Sequence, residues 1–276
     1  MRDWIVISTL CFSLQTLALP ANADIKTGVD ALQANDPETA AREFQDSFES
    51  GDADGAFYLG RMFEMGLGTA PDVGRAAQLF QAAADKNSAL AQNRLGLMYL
   101  DGQGVIRDYN TGAKLVCDAA AAGEENGEFN CGVVLMEGRG IDKDPTRALT
   151  LWEQAADKGH IAATNLLALN LKSGEFVTAD PARAFSLFSK TAEQGNAMGL
   201  YEVAVALNEG VGTETDKVKA YTYANIAAAR QHPEAPALRD AIEKELTPEQ
   251  VTEGQKAARA WIEAAQAKAD ADPTEN

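Results

Sequence analysis

The sequence predicts an all-α chain: a solenoid of about six stacked helical hairpins, closed by a capping pair of helices. Three observations carry that reading. Asp36, Asp72, Asp108, Asp144, Asp180 and Asp216 follow one another every 36 residues without slippage. Gly66, Gly102, Gly138, Gly174 and Gly210 keep the same step, as do Phe44, Phe80, Val116, Trp152 and Phe188. A fixed period of about 20–50 residues is the signature of a repeat architecture, in which each unit buries its apolar face on its neighbours.

One unit, Leu95 to Gly123, shows why the period means a hairpin. Leu95, Met98 and Tyr99 fall at helical spacing, and the run stops at Gly102, a residue suited to the left-handed position just past a helix end. Gly104 adds a second permissive site, so the GxG reads as a tight loop. Asp108 stands where an N-cap is wanted, its carboxylate accepting from the free N–H groups of the next turn. Pro37, Pro145 and Pro181 follow three of the six aspartates, at a position where proline suits a helix start. Ala113, Val116, Ala119 and Ala120 then form the buried stripe of a second helix. Small alanines let helices approach closely, and one large residue per unit fills the space between them.

In chain order, residues 24–34 read as a short first helix, and Asp36-Pro37 opens its partner, which runs through Phe44 to about Ser50. Four full units begin near Asp54, Leu90, Asn126 and Ala162. A fifth begins near Met198 and runs through Asp216, Ala220, Ala227 and Ala228 to about Gln231. The solenoid is thus expected over 24–232. After His232-Pro233 the period fails, and two capping helices are expected over 233–268, the first at about Pro233–Leu246. Thr247-Pro248-Glu249-Gln250 matches a capping box for the second, which carries Ala257, Ala258, Trp261 and Ile262. Residues 269–276 read as a short polar tail.

The recurring residues Leu59, Gly60, Phe63, Gly66, Gly68, Asp72, Ala76 and Phe80 resemble the Sel-one-like repeat (SLR), a branch of the tetratricopeptide-like α/α solenoids. Gly132, Gly138, Gly140, Asp144, Ala148, Trp152, Ala155, Ala156 and Gly159 repeat the match, and the resemblance extends over roughly residues 24–268. Two departures fall in one unit: Phe176 stands where the second loop glycine belongs, and Ala168 replaces the helix glycine. The first hairpin, Ile25 to Gly51, lacks the GxG insertion, as terminal repeats often do. The resemblance implies a right-handed superhelix whose first helices line a concave groove. Carried over by its columns, that groove holds Phe57, Arg61, Asn93, Leu97, Leu100, Phe129, Val133, Met136, Asn165, Leu169, Tyr201 and Val205. Exposed apolar surface of this kind marks an interaction site. The competing reading is that the superhelix winds tightly and these side chains pack together.

Residues 1–23 carry Arg2, an apolar run from Trp4 to Leu19 and then Ala21-Asn22-Ala23, the layout of a signal peptide cleaved after Ala23. The run is too short and too interrupted for a good membrane span. Leu10 before Cys11 does not fit a lipid-anchor signal, where a small residue is wanted. The mature chain is therefore expected to be soluble, in the periplasm or secreted, with no stable membrane insertion. The full sequence of 276 residues carries a formal net charge of −17, which excludes nucleic-acid binding by clustered Lys and Arg. Cys117 and Cys131 lie equally far from the loop centre near Glu124, and such positions face each other in an antiparallel helix pair. An oxidising compartment favours a bridge between them; two unpaired buried thiols are the alternative.

No catalytic residue, metal site or cofactor is expected. His160 and His232, the two histidines, lie two whole repeats apart, and no HExxH or CxxC accompanies them. The GxG loops lack the Lys-Ser/Thr of a P-loop and the preceding strand of a dinucleotide fold. Some exported proteins that resemble this chain carry a β-lactamase label, but that chemistry wants SxxK, SDN and KTG, and only Lys26-Thr27-Gly28 is present. Two functions follow from the resemblance. One is a periplasmic protein–protein interaction scaffold or adaptor, regulating an envelope signalling or assembly process through another protein. The other is a cell-wall-fragment or β-lactam-interacting protein with weak hydrolase activity.

Overall fold

The computed structural model describes residues 24–271. The expected signal peptide, its cleavage point and residues 272–276 of the expected tail lie outside them. Fourteen helices and no strand occur among the described residues. In chain order they begin α1 (Ile25–Gln33), α2 (Pro37–Glu49), α3 (Ala53–Met65), α4 (Val73–Ala84), α5 (Ala89–Asp101) and α6 (Tyr109–Ala121), with α1 packed on α2 and α5 on α6. Next come α7 (Glu125–Glu137) with α8 (Pro145–Lys158), α9 (Ile161–Ser173) with α10 (Pro181–Glu193), and α11 (Ala197–Glu209) with α12 (Lys217–Ala229). The chain closes with α13 (Ala235–Glu243) and α14 (Pro248–Ala271). The all-α repeat solenoid predicted from the period is the architecture observed. Helix contacts divide the chain into two compact units, residues up to Leu79 and residues from Phe80 onward, the boundary falling inside α4.

The period is built from backbone hydrogen bonds at both ends of each loop. The Asp108 carboxylate accepts from the N–H groups of Asn110 and Thr111, while its own N–H donates to the Tyr99 carbonyl at 2.9 Å. Asp144 does the same between Arg147 and Leu135, Asp180 between Arg183 and Leu171, and Asp216 between Lys219 and Leu207. In the first unit, Asp72 accepts from Arg75 N–H and donates to Phe63, and Asp36 caps α2 through Thr39 N–H. Each aspartate thus starts one helix and closes the loop from the one before, satisfying donors and an acceptor that helix ends leave orphaned. Gly102, at φ 74°, ends α5 in the left-handed region, and the equivalent glycines end α3, α7, α9 and α11 the same way. Gly174 keeps that conformation even where Phe176 replaces the second loop glycine. Phe176 instead lies half-buried with Lys143 Nζ 5.1 Å from its ring centroid.

The first unit packs Ala40, Phe44 and Met62 as its buried centre, with Tyr58 stacked on Phe44 at 5.2 Å. In the second unit the large residue of each second helix is buried: Phe80, Val116, Trp152 and Phe188. Complete burial of a side chain of this size contributes about 2–3 kcal/mol. Trp152 lies across Gly132, where any Cβ would collide with the indole, and its Nε1–H donates to the Phe129 carbonyl at 3.1 Å. Cys117 on α6 and Cys131 on α7 are joined by a disulfide, with Cα atoms 4.8 Å apart.

The capping pair docks on α12. Tyr221, almost fully buried, gives its hydroxyl proton to Glu243 on α13 at 2.9 Å and accepts from Gln255 on α14 at 3.3 Å. Thr247 and Gln250 exchange the two hydrogen bonds of the capping box. Helix α13 is shorter at both ends than the expected 233–246, and its first turn holds Pro236 rather than Pro233. Helix α14 is longer and runs on to Ala271.

Candidate interaction surface

The residues expected to line a groove sit on the first helix of each hairpin. In the first unit, Phe57 stands edge-on to Tyr58 at 5.2 Å, and the Arg61 guanidinium pairs with Glu64 at 2.7 Å. In the second unit, Asn93, Phe129, Asn165 and Tyr201 occupy one column on α5, α7, α9 and α11, while Leu97, Val133, Leu169 and Val205 occupy another.

The first of these columns is engaged within the protein. Asn93 and Asn165 are only 8% and 5% exposed. Asn130 Nδ2–H donates to Asn93 Oδ1 at 2.9 Å. Asn165 Nδ2–H donates to Asn196 Oδ1 at 3.0 Å, and its Oδ1 accepts from the Thr191 hydroxyl at 2.8 Å. Both groove asparagines therefore make hydrogen bonds within the protein, as buried polar groups must. Phe129 stacks on His160 with centroids 4.5 Å apart, and Tyr201 stacks on His232 at 4.1 Å. His160 is the N-cap of α9, its Nδ1 accepting from Ala163 N–H at 3.1 Å. This column is thus a joint between a first helix and the start of the following element, which gives the aromatic residues a packing role that the repeat pattern does not reveal. The Tyr201 hydroxyl also donates to Glu234 at 2.9 Å. Burial first, and then that bond, push its pKa up to about 12.

The second column is different. Leu97, Val133, Leu169 and Val205 are all half-buried, one per hairpin, and the first three pack against the core. Met136 is half-buried beside them, whereas Leu100 is buried. Lys172 on α9 and Glu202 on α11 form an ion pair at 2.7 Å along the same run of helices. Among the described residues no group of three or more His, Cys, Asp or Glu side chains could hold a metal ion. No helix there is long and apolar enough to cross a membrane.

One alternation passes unnoticed at the 36-residue step. Position 57 and positions 129 and 201 are aromatic, whereas 93 and 165 are asparagine, so the true identity of this column repeats every 72 residues. His160 and His232 share that longer step, and it was the available signal that they partner Phe129 and Tyr201. The same doubled step relates Lys158 to Arg230. Lys158 Nζ donates to the Gly123 carbonyl at 2.9 Å and to the buried carboxylate of Glu128 at 2.6 Å, tying α8 to α7.

A stack of two-helix units, each capped by aspartate and ended by a left-handed glycine, defines a helical-repeat solenoid. Sel1 repeats match residues 53–88, 89–124, 126–160, 161–196 and 197–232, and the chain belongs to the Sel1 repeat family. Proteins of this family generally mediate protein–protein interactions and are generally not enzymes. The fold is similar to the crystal structure of a Sel1 repeat protein from Oxalobacter formigenes. The two are 24% identical over 89% of this chain and 97% of that one, with a TM-score of 0.72. It is also similar to a protective antigen of uropathogenic Escherichia coli strains that displays an SLR fold, at 21% identity and a TM-score of 0.57. There the match covers 89% of this chain and 62% of the antigen. The sequence has no significant match among curated proteins.

Proposed function

We propose that this protein is an exported interaction scaffold. It holds an extended segment of another protein along the face built by α5, α7, α9 and α11, and serves as an adaptor in a periplasmic envelope process. The observation that carries this is the half-buried aliphatic stripe Leu97, Val133, Leu169 and Val205, one anchor per hairpin. Packed helices lie about 8–10 Å apart, and a segment in the polyproline II conformation repeats one face every three residues, about 9 Å, so every third of its side chains can meet an anchor. The net charge of −17 favours a segment carrying Lys or Arg between its apolar residues. Export is supported by the pattern of residues 1–23 and by the Cys117–Cys131 bridge, a bond typical of oxidising compartments.

A photoreactive residue placed at Val133, activated in intact cells and followed by mass spectrometry of the crosslinked envelope fraction, tests the proposal. A single partner is expected, crosslinked along an extended segment and lost when Leu97 or Leu169 is replaced by Lys in otherwise folded protein. Capture unchanged by those substitutions refutes this face. Full-length protein confined to the cytosol refutes the location.

A further inference from the structure

We propose that the segment held along α5, α7, α9 and α11 carries two Lys or Arg residues nine positions apart, one meeting Asp101 beside Leu97 and the other Glu209 beside Val205. The inference rests on the reading of that face as a partner-binding surface and adds the charge register of its partner.

One turn beyond each aliphatic anchor, on the same side of its helix, stand Asp101, Glu137, Ser173 and Glu209. All four are exposed. Glu137 is paired with Arg139 at 2.7 Å, and the Ser173 hydroxyl donates to the Asn170 carbonyl at 3.3 Å. Lys172 takes Glu202 at 2.7 Å, and Arg94 on α5 is engaged as well. Among the described residues no cation pairs with Asp101 or Glu209. Arg107, in the loop after Asp101, lies over the Tyr109 ring at 5.3 Å instead. The two ends of the anchor stripe therefore carry an unneutralised carboxylate each, and its middle carries none.

The placement of these carboxylates opposes the fold. Asp101 and Glu209 are the last residues of α5 and α11, where the helix end is already negative. A carboxylate there disfavours the helix unless a cation offsets it, so helix stability does not account for either residue. The field of Glu209 also reaches into the protein: with Glu202 it adds to the burial and the Glu234 bond that push the Tyr201 phenol up to about 12. A cation on the partner relieves this repulsion, and an anion would add to it. Val205, Ala206 and Val211 border Glu209 in one cleft, where the methylene stem of a Lys or Arg can lie while its charge meets the carboxylate.

The spacing follows from the repeat. From α5 to α11 is three hairpin steps, about 27 Å at about 9 Å each. A polyproline II segment covers about 28 Å in nine residues and returns the same face every third residue. Its apolar residues meet Leu97, Val133, Leu169 and Val205 in turn while an adjacent face turns toward the acidic side. The cations then flank the first and the last of those four residues.

Fluorescence anisotropy with labelled peptides tests this at low salt, where exposed ion pairs are least screened. The peptide Leu-Lys-Pro-Leu-Ser-Pro-Leu-Ser-Pro-Leu-Lys-Pro sets the lysines nine apart for one chain direction. Lys-Leu-Pro-Ser-Leu-Pro-Ser-Leu-Pro-Lys-Leu-Pro does so for the other. In the comparison peptides lysines and serines exchange places, which brings the lysines three apart at the same composition. One of the nine-spaced peptides is expected to bind about fivefold more tightly than its three-spaced counterpart, the effect of two exposed ion pairs. Asp101→Asn or Glu209→Gln alone should reduce that preference to about twofold, and the two together should abolish it, with a Tm no lower than that of the wild type. Leu169→Lys, or Leu97→Lys should the first not fold, should abolish binding of every peptide. Equal affinity for both spacings, lost with the lysine substitution in the stripe, overturns the charge register and leaves the binding face standing. A preference that survives the double variant also overturns the register. Binding of no peptide, or binding indifferent to the stripe substitution, overturns the face and the register together.

Discussion

Replacing Lys158 by Met isolates the most exposed-to-loss contact in the second unit. Glu128 is 4% exposed, its Oε1 meets Lys158 Nζ at 2.6 Å, and its Oε2 has no hydrogen-bond partner among the described residues. Removing the ammonium leaves a carboxylate with no counter-ion and frees the Gly123 carbonyl as well. Breaking a fully buried pair costs about 3–5 kcal/mol, and an exposed one contributes about 0.2–1 kcal/mol. Here the acid is buried but the Lys158 side chain is 40% exposed, so water screens part of the interaction. The expected loss for Lys158→Met is therefore about 2 kcal/mol. That corresponds to a Tm lower by about 4–8 °C for a unit of this size. Met keeps most of the stem packing, so the loss reports the charge rather than a cavity. Adding Glu128→Leu should recover most of the stability, because the chain already buries Leu200 at the equivalent position. Calorimetric melting of the wild type, both single variants and the double variant completes the cycle. A Lys158→Met variant within about 0.5 kcal/mol of wild type, or a double variant no better than the single one, refutes the reasoning.

Two other outcomes follow from the same structure. Replacing Cys117 and Cys131 by Ser opens a loop of sequence separation 14 and should cost roughly 3 kcal/mol in the chain-entropy description, with reductant lowering the Tm of the wild type only; a Tm indifferent to reductant in the wild type contradicts this. For Tyr201, a folded pKa near 12 lies above the ordinary phenol value of 10, so the neutral form is favoured on folding. Its contribution is complete below about pH 10 and is lost as pH rises towards 12. Ultraviolet titration should show Tyr201→Phe missing a phenol step near pH 12, and a step missing near pH 10 instead counts against the Glu234 bond.

What was legible in the sequence was whatever depends on neighbours a few residues away. The 36-residue step of aspartates and glycines specified the helical repeat because capping by Asp144 or termination at Gly138 involves only the adjoining turns. The Sel1 identity followed from the same columns, and so did the capping box at Thr247. Tertiary structure alone decided which side chains on the first helices are spent and which are left over. Asn165 meets Asn196 and Thr191, and Phe129 meets His160, across separations of 26–31 residues. Such pairs leave no mark on a single-step period, since alternate hairpins solve the joint with an aromatic stack or an amide bond. The same holds for the cations: Lys158 and Arg230 look alike in sequence, yet one is neutralised by Glu128 and the other lies over Trp261. Backbone hydrogen bonding is local and recurs with the chain, whereas a side chain's availability depends on what the next packed helix places against it.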